Sequence, residues 1–148
     1  MQVWLDRTTI ERYIPHRSPF LLIDRLIWLE PGKLGRAERD VRADDPLLAG
    51  HFPGRPVYPG VLILEGLGQL GAVLTAEPVA EGETPSADGK FFARLDRVRF
   101  VKPVLGGEVL ELEVKILKIF DGFVKAEGIA RVRGELVASA ELTFTTGA

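Results

Sequence analysis

The chain has 148 residues, of which 46% are hydrophobic and 27% are charged, and its formal net charge is -2. This size and composition predict a single globular domain over 1–148 and exclude a disordered chain. No block of like charge stands out, so we expect no nucleic-acid partner.

Cysteine is absent, and His16 and His51 are the only histidines. This composition excludes disulfides, thiolate nucleophiles and cysteine zinc sites, and we expect neither a metal nor a cofactor. Residues 1–13 mix apolar and charged side chains, unlike a signal peptide. The most apolar segment, 60–76, falls short of the ~20 apolar residues that span a bilayer. We therefore expect a cytoplasmic protein without membrane association.

The first forty residues predict one short helix and two paired strands. Thr8 or Thr9 can cap a helix that ends near Tyr13, because a hydroxyl there accepts a free amide of the first turn. Segment 20–29 is dense in aliphatic and aromatic residues, and segment 33–41 alternates modestly after a proline-glycine turn. These two segments predict a pair of strands.

The middle of the chain predicts a stiff loop followed by a buried helix. Segment 42–59 is so rich in proline and glycine that we expect no regular element there. Segment 60–76 follows the helical period for four to five turns and is apolar nearly all round. Such a helix is normally buried in a core. The polar segment 77–89 predicts a mobile loop.

The C-terminal third predicts an antiparallel sheet. Asp121-Gly122 between apolar runs is a strong signal for a two-residue hairpin turn. Alternating residues in the second run indicate one exposed face and one face that covers something apolar, for which the helix is the candidate. The predicted class is α+β, with a sheet wrapped around one long central helix. The four predicted strands are 90–100, 108–120, 123–133 and 136–145.

Glu65 is the only charged residue of the predicted helix, and its helical neighbours cannot neutralise it. A buried, unpaired carboxyl usually has a raised pKa and can then donate a proton near neutral pH. Two structural alternatives remain open at this point. An Arg or Lys on a strand could form a structural ion pair with Glu65, or the helix could be exposed to solvent at that position.

His51 lies in the proline-rich loop, fourteen positions before Glu65. A braced loop can hold an imidazole in one orientation, and its ordinary pKa of about 6.5 suits a general base. The alternative is a half-buried histidine that hydrogen-bonds to a backbone carbonyl.

Pro59 precedes the predicted helix, which leaves the amides of Gly60 and Val61 free at its positive end. Such amides can stabilise a carbonyl oxygen that gains negative charge, although proline beside a helix start is also common. A base, an acid and these donors together describe proton abstraction beside a thioester or ketone carbonyl, with loss of a β-hydroxyl.

Three runs of the sequence stand out, and they are Pro15-His16-Arg17-Ser18-Pro19-Phe20-Leu21-Leu22-Ile23-Asp24, 50–65 (GHFPGRPVYPGVLILE) and Arg99-Phe100-Val101-Lys102-Pro103-Val104. The middle run is the specific one, because it combines a histidine, two proline-glycine turns and a carboxylate. In order and spacing, across nearly the whole chain, the runs resemble the 3-hydroxyacyl-[acyl carrier protein] dehydratases of type II fatty acid synthesis.

The resemblance implies a hot-dog fold and a homodimer, often a trimer of dimers, with a tunnel at the dimer interface. It implies that His51 removes the α-proton and that Glu65 of the partner subunit assists loss of the β-hydroxyl as water. It assigns a backbone amide donor to Gly60 and places Gln69 where it could bond to the carboxyl. The carbonyl of Val57 is expected to hold the imidazole in the needed tautomer.

The resemblance also implies an acyl thioester substrate, carried by an acyl carrier protein or by CoA. We expect the acyl chain to lie along apolar side chains of the helix and strands, with Phe91, Phe92 and Leu70 as candidates. Acyl carrier proteins are acidic, so Arg97, Arg99 and Lys102 are candidate docking residues, or else ordinary solvated strand charges.

The sequence departs from the family pattern at two places. Gly66-Leu67-Gly68-Gln69 replaces the usual Ala-Met-Ala-Gln, and Val101-Lys102-Pro103 replaces Lys-Arg-Pro. These departures bear on chain length and carrier docking, not on His51 or Glu65. The alternative functions are a hot-dog acyl thioesterase, an enoyl-CoA hydratase and a non-catalytic acyl-binding subunit.

Overall fold

A seven-stranded antiparallel sheet and one long helix dominate the computed structural model, which describes residues 1–147. The α+β hot-dog class predicted from the sequence is confirmed. In chain order the elements are β1 (Gln2–Asp6), α1 (Arg7–Ile10), β2 (Arg25–Glu30), β3 (Leu34–Asp40), α2 (Pro46–Ala49), β4 (Val57–Tyr58), α3 (Gly60–Thr75), β5 (Phe92–Phe100), β6 (Val104–Leu105), β7 (Val109–Phe120), β8 (Phe123–Val132) and β9 (Glu135–Thr145). The sheet has the strand order β1-β2-β3-β7-β8-β9-β5, and β4 pairs separately with β6.

Helix α3 packs against β3, β7, β8 and β9. Two strand glycines allow this close approach. A Cβ at Gly35 would stand 2.9 Å from Cδ2 of Leu74, and one at Gly128 would stand 2.9 Å from Cδ1 of Leu67. Leu67 is fully buried, and burial of such a leucine contributes roughly 1.5–3 kcal/mol. The apolar helix therefore forms the centre of the core, as its composition predicts.

The N-terminal segment differs from the sequence-based prediction. Strand β1 was not predicted, and it pairs with β2 at one edge of the sheet. Helix α1 is shorter than the predicted helix and begins before Thr8. Its cap is Asp6, whose carboxylate accepts a hydrogen bond from the amide of Thr9 at 3.0 Å. Capping by Asp6 explains why the helix starts at Arg7.

The apolar segment 20–29 is only partly a strand. Residues 21–23 are buried, but β2 begins at Arg25. The amide of Leu22 donates a hydrogen bond to Oε1 of Gln69 at 2.8 Å. This buried amide therefore has a partner without pairing to a neighbouring strand. The hydrophobicity of residues 21–23 therefore reflects burial in a loop, and the strand prediction is wrong for residues 20–24. For the rest of the segment the predicted strand pair is confirmed, because β2 pairs with β3.

Segment 42–59 is not free of regular structure, so that prediction is wrong. Asp45 caps the four-residue helix α2 through a hydrogen bond from the amide of Leu47, and Pro46 occupies its first turn, where proline is tolerated. Strand β4 pairs with β6. Prolines and glycines limit these elements to two and four residues, which agrees with the stiff path that was expected.

The C-terminal strands lie within about two residues of their predicted bounds. Asp121 and Gly122 have φ angles of 47° and 76° between β7 and β8. These values fit the left-handed turn that joins antiparallel strands, so the hairpin prediction is confirmed. Strand β5 pairs with β9 on one side and forms the other edge of the sheet. No helix within residues 1–147 is long and apolar enough to cross a bilayer.

Candidate active site

Glu65 lies on the second turn of α3 and lines a cavity of about 110 Å³ between this helix and the ends of β5 and β9. Phe91, Phe92 and Phe144 belong to the apolar part of the wall, and Gln69 contributes its side-chain amide. His16 and Lys90 also line this space, which is called the Glu65 cavity below. An apolar wall with a few polar groups is typical of a small-molecule site.

The carboxyl of Glu65 is about three-quarters buried, with a side-chain exposure of 24%. Burial raises its pKa, and a hydrogen bond from Nε2 of Gln69 to Oε2 at 2.9 Å acts in the opposite direction. No Lys or Arg within residues 1–147 forms an ion pair with this carboxyl. The environment therefore favours the proton-bearing form of Glu65 more than water does.

Gln69 is held in place by the segment before β2. Its side chain is 1% exposed, its Oε1 accepts from the amide of Leu22 at 2.8 Å, and its Nε2 donates to the carbonyl of Phe20 at 2.8 Å. These two backbone partners fix which end of the amide faces Glu65. Because Nε2 also donates to Oε2, the proton of a neutral Glu65 belongs on Oε1.

His16 is a neighbour of Glu65 that the sequence-based reasoning did not assign to the site. Its Nε2 lies 3.7 Å from Oε2 of Glu65. Burial lowers the pKa of His16, and the positive charges of Lys90 and Arg17 lower it further. These effects favour the neutral imidazole and therefore disfavour an ion pair with Glu65. The sequence feature that could have identified His16 is its position in the Pro15-His16-Arg17 run, which is part of the family resemblance.

His51 follows α2, and its imidazole is oriented by the backbone of β4. Nδ1 lies 2.7 Å from the carbonyl oxygen of Val57. A carbonyl can only accept, so Nδ1 carries the hydrogen and Nε2 keeps a free lone pair. The ring also stacks on Phe52, with the centroids 4.3 Å apart. This tautomer is the one that a general base requires at Nε2.

Gly60 and Val61 begin α3, where the first amides have no partner within the helix. Pro59 stands at the cap position and makes no side-chain capping bond. A Cβ at Gly60 would lie 2.7 Å from Cε1 of Phe100, so glycine is required for this contact. Val61 is 69% exposed. The helix start is therefore open to a ligand or to another surface.

The predicted site residues fall into two groups in the chain. Glu65, Gln69, Phe91 and Phe92 line the Glu65 cavity. His51 does not line this cavity, and neither do Val57, Gly60 and Val61. Leu70, the third candidate for the acyl wall, instead packs toward the sheet, where its Cδ1 would contact a Cβ at Gly35 at 3.1 Å.

The three candidate docking cations lie on or just after β5 and are exposed. Lys102 forms an ion pair with Glu135, and Arg97 lies 4.0 Å from Glu141. Nearby carboxylates thus offset part of this positive charge.

The sequence matches known proteins over nearly its full length. A 3-hydroxyacyl-[acyl-carrier-protein] dehydratase FabZ from Roseiflexus sp. (strain RS-1) is 50% identical over 133 residues, which cover 88% of this chain and 89% of that protein. The FabZ of Geobacillus thermodenitrificans is 45% identical over 143 residues, covering 97% and 96% of the two chains.

The fold matches solved structures as well. The structure of the dehydratase heterocomplex ApeI:P from Xenorhabdus doucetiae superimposes with a TM-score of 0.73 at 19% identity, and the match covers 93% of this chain and 90% of that one. At this identity the match supports the fold alone. A family model described as FabA-like domain matches residues 14–141. The chain therefore belongs to the family of FabA-like domains.

Proposed function

We propose that the protein dehydrates (3R)-3-hydroxyacyl thioesters, linked to an acyl carrier protein, to trans-2-enoyl thioesters in fatty acid biosynthesis. The observation that carries this function is the largely buried carboxyl of Glu65, because its position in a partly apolar cavity raises its pKa and favours the form that can donate a proton. Relatives at 42–50% identity are named 3-hydroxyacyl-[acyl-carrier-protein] dehydratases.

In the proposed reaction, Nε2 of His51 removes the proton from the α-carbon. The electron pair of that C–H bond forms the double bond to the β-carbon, and the bond from the β-carbon to its hydroxyl oxygen breaks. Glu65 gives its proton to this oxygen, which leaves as water. The free amides of Gly60 and Val61 stabilise the charge that develops on the thioester carbonyl oxygen.

The site is proposed to form between two copies of the chain. Support comes from the separation of the two groups, because His51 does not share the Glu65 cavity within one protomer. The edge strand β5 and the adjoining helix start also present apolar side chains to solvent, among them Val61, Val98 and Phe100. A second copy that covers this edge would bury them and bring its own His51 toward Glu65. A trimer of such dimers and a cytoplasmic location remain predictions.

Hydration of crotonyl thioester, the reverse reaction, tests the proposal. His51→Ala and Glu65→Gln should each lower the rate by roughly 10²–10⁴-fold, the usual contribution of acid-base catalysis, while the protein stays folded. Glu77→Gln, an exposed carboxylate just after α3, is the matched control and should retain the rate. Unchanged rates in both site variants would reject the assignment.

Mixing the two inactive variants tests the shared site. If His51 and Glu65 come from different copies, random exchange restores one intact site in half of the dimers, or roughly one quarter of the wild-type activity. No recovery after confirmed subunit exchange would place both groups within one protomer.

A thioester hydrolysis assay on the same samples separates this function from a thioesterase, which would release free acid. Acyl carrier protein and CoA substrates run side by side separate the dehydratase from a CoA-linked hydratase. An acyl-binding subunit without catalysis would show neither reaction.

A further inference from the structure

We propose that Arg39 is a positioning residue for His51, and that its guanidinium fastens the segment carrying this imidazole to strand β3. The inference deepens the proposed function, on which its catalytic consequence rests. Arg39 belongs to neither the Glu65 cavity nor the surroundings of the imidazole, and its effect passes through Asp45.

The guanidinium of Arg39 is largely buried between two carboxylates. Its side chain is only 11% exposed, and its two terminal nitrogens lie 3.7 Å from Oδ2 of Asp24 and 3.6 Å from Oδ2 of Asp45. Asp24 is itself fixed, because it accepts from Arg7 at 2.8 Å and from the amide of Asp40 at 2.6 Å. Arg39 thus links Asp45 to a rigid anchor beside β2 and β3.

Asp45 transmits this link to His51 through the short helix α2. Its carboxylate accepts from the amide of Leu47 at 3.0 Å, and its carbonyl accepts from the amide of Leu48 at 2.9 Å. The carbonyl of Leu48 then accepts from the amide of His51 at 3.0 Å. The path from the anchor to the backbone of His51 therefore runs through one helical turn, whose Leu48 is buried.

The other end of the same segment is bound to His51 through Val57. Val57 holds Nδ1 of His51 through its carbonyl and donates its own amide to the carbonyl of His51 at 2.8 Å. His51 is therefore held by α2 on one side and by Val57 on the other, and Arg39 acts on the α2 side through Asp45.

The chemistry of this cluster favours arginine over other cations. A guanidinium is planar and has several N–H donors, so it can interact with two carboxylates at the same time, whereas the ammonium of lysine is a compact point charge. Removing the cation would leave Asp45 without the ion pair that Arg39 supplies, whereas Asp24 would keep its ion pair with Arg7. Truncating one partner of a largely buried ion pair is strongly destabilising locally. Asp45 would move away, and the turn that holds the imidazole would move with it.

The test compares Arg39→Met with Arg36→Met. Arg36 lies on the same strand, is exposed and pairs with Glu113 at 2.8 Å, so it controls for the loss of a β3 cation. Nitrogen-15 spectra of histidine-labelled protein report the two imidazoles, and a His16→Gln sample assigns them. In the wild type, His51 should show one protonated Nδ1 and one unprotonated Nε2. In Arg39→Met, the two nitrogen shifts should move toward each other as the tautomer is no longer fixed.

Kinetics supply the second measurement. Arg39→Met should lower kcat for crotonyl hydration by roughly 10²-fold, as expected for a misplaced catalytic group, and leave KM nearly unchanged, because Arg39 does not contact the cavity. Arg39→Lys should recover part of kcat, and Arg36→Met should match the wild type in both measurements.

The proposal is overturned if folded Arg39→Met keeps the wild-type nitrogen shifts and kcat, or if only KM changes. Should Arg39→Met fail to fold, Asp45→Asn serves instead, because asparagine caps a helix as well as aspartate but carries no charge for Arg39. The same shift of the His51 nitrogens is then expected, and unaltered spectra reject the proposal. If the wild-type protein does not hydrate crotonyl thioester, the proposed function is rejected. The nitrogen-15 spectra do not depend on catalysis, so they still test whether Arg39 positions His51.

Discussion

Gln69 donates a hydrogen bond to Glu65 one helical turn away, and the same amide is bound at both ends by backbone groups of residues 20–22. The carboxyl is thus connected to a segment distant in sequence through a single buried side chain. A helix can present a carboxyl to a cavity, but it cannot by itself choose which oxygen faces inward. Gln69 makes that choice here.

Gln69→Met should destabilise the protein by about 1–3 kcal/mol, because the amide of Leu22 would lose its partner inside the core. Urea unfolding measures this change. Thr75→Val is the control, because the Thr75 hydroxyl bonds only to carbonyls of α3, and its loss should cost clearly less. Equal costs for the two variants would contradict the role given to Gln69.

Glu65→Gln should make the protein more stable at pH 7. The pKa of Glu65 is raised in the folded state, so the native protein binds more protons than the unfolded chain above about pH 4.3. Stability is then lost as the pH rises from that value through the folded pKa. Glutamine removes this loss. Urea unfolding of both proteins between pH 4 and pH 8 should show curves that meet at the acid end and separate as the pH rises.

Asp40→Asn should show the opposite pH dependence. The hydrogen bond from Arg25 lowers the pKa of Asp40, so its contribution is present above the unfolded pKa of about 3.9 and is lost as the pH falls through the folded value. The group is partly exposed, so we expect a cost of about 0.2–1 kcal/mol at pH 7. Unfolding at pH 7 and pH 3 measures it. Asp88→Asn, in an exposed loop, should have no comparable effect.

Gly68 and Phe92 should be energetically coupled. A Cβ at Gly68 would clash with Cζ of Phe92, so Gly68→Ala must displace the ring, which lines the Glu65 cavity. A double-mutant cycle with Phe92→Leu should give an interaction energy of about 0.5–3 kcal/mol, since a smaller side chain leaves room for the methyl group.

The control for this cycle is Gly50→Ala, because a Cβ there meets nothing within 4 Å. It should show no coupling to Phe92→Leu. If the changes in unfolding free energy caused by Gly68→Ala and Phe92→Leu are additive, the ring of Phe92 does not pack against Gly68 in solution.

The sequence predicts the central helix and the C-terminal strands well, because their periodicity is strong and their breaks fall at Asp121-Gly122 and similar turns. It predicts segment 20–24 poorly. A buried loop and a buried strand have the same apolar composition, and only the distant Gln69 decides between them. The cap at Asp6 was missed because Thr8 and Thr9, two and three positions later, can also cap a helix.

The candidate site shows the same division. Glu65 stands out locally as the one charge on an apolar helix, and its burial agrees with that expectation. His16 lies beside Glu65 in the fold although the two residues are 49 positions apart in the sequence. No local sequence pattern predicts such a contact. In the proposed function, His51 meets Glu65 of a second copy of the chain, and a single sequence does not describe such a contact.

Helix α3 has four glycines, at positions 60, 66, 68 and 71, and no side-chain cap at its start. Each interior glycine costs about 1 kcal/mol of helix propensity, and isolated helices of this length are already marginal in water. A peptide of residues 60–75 should therefore be a random coil. The helix is therefore stable only while the sheet packs around it. Unfolding of the sheet should disrupt the positions of the Glu65 carboxyl and of the helix amides in the same cooperative transition. We expect no partly active folding intermediate.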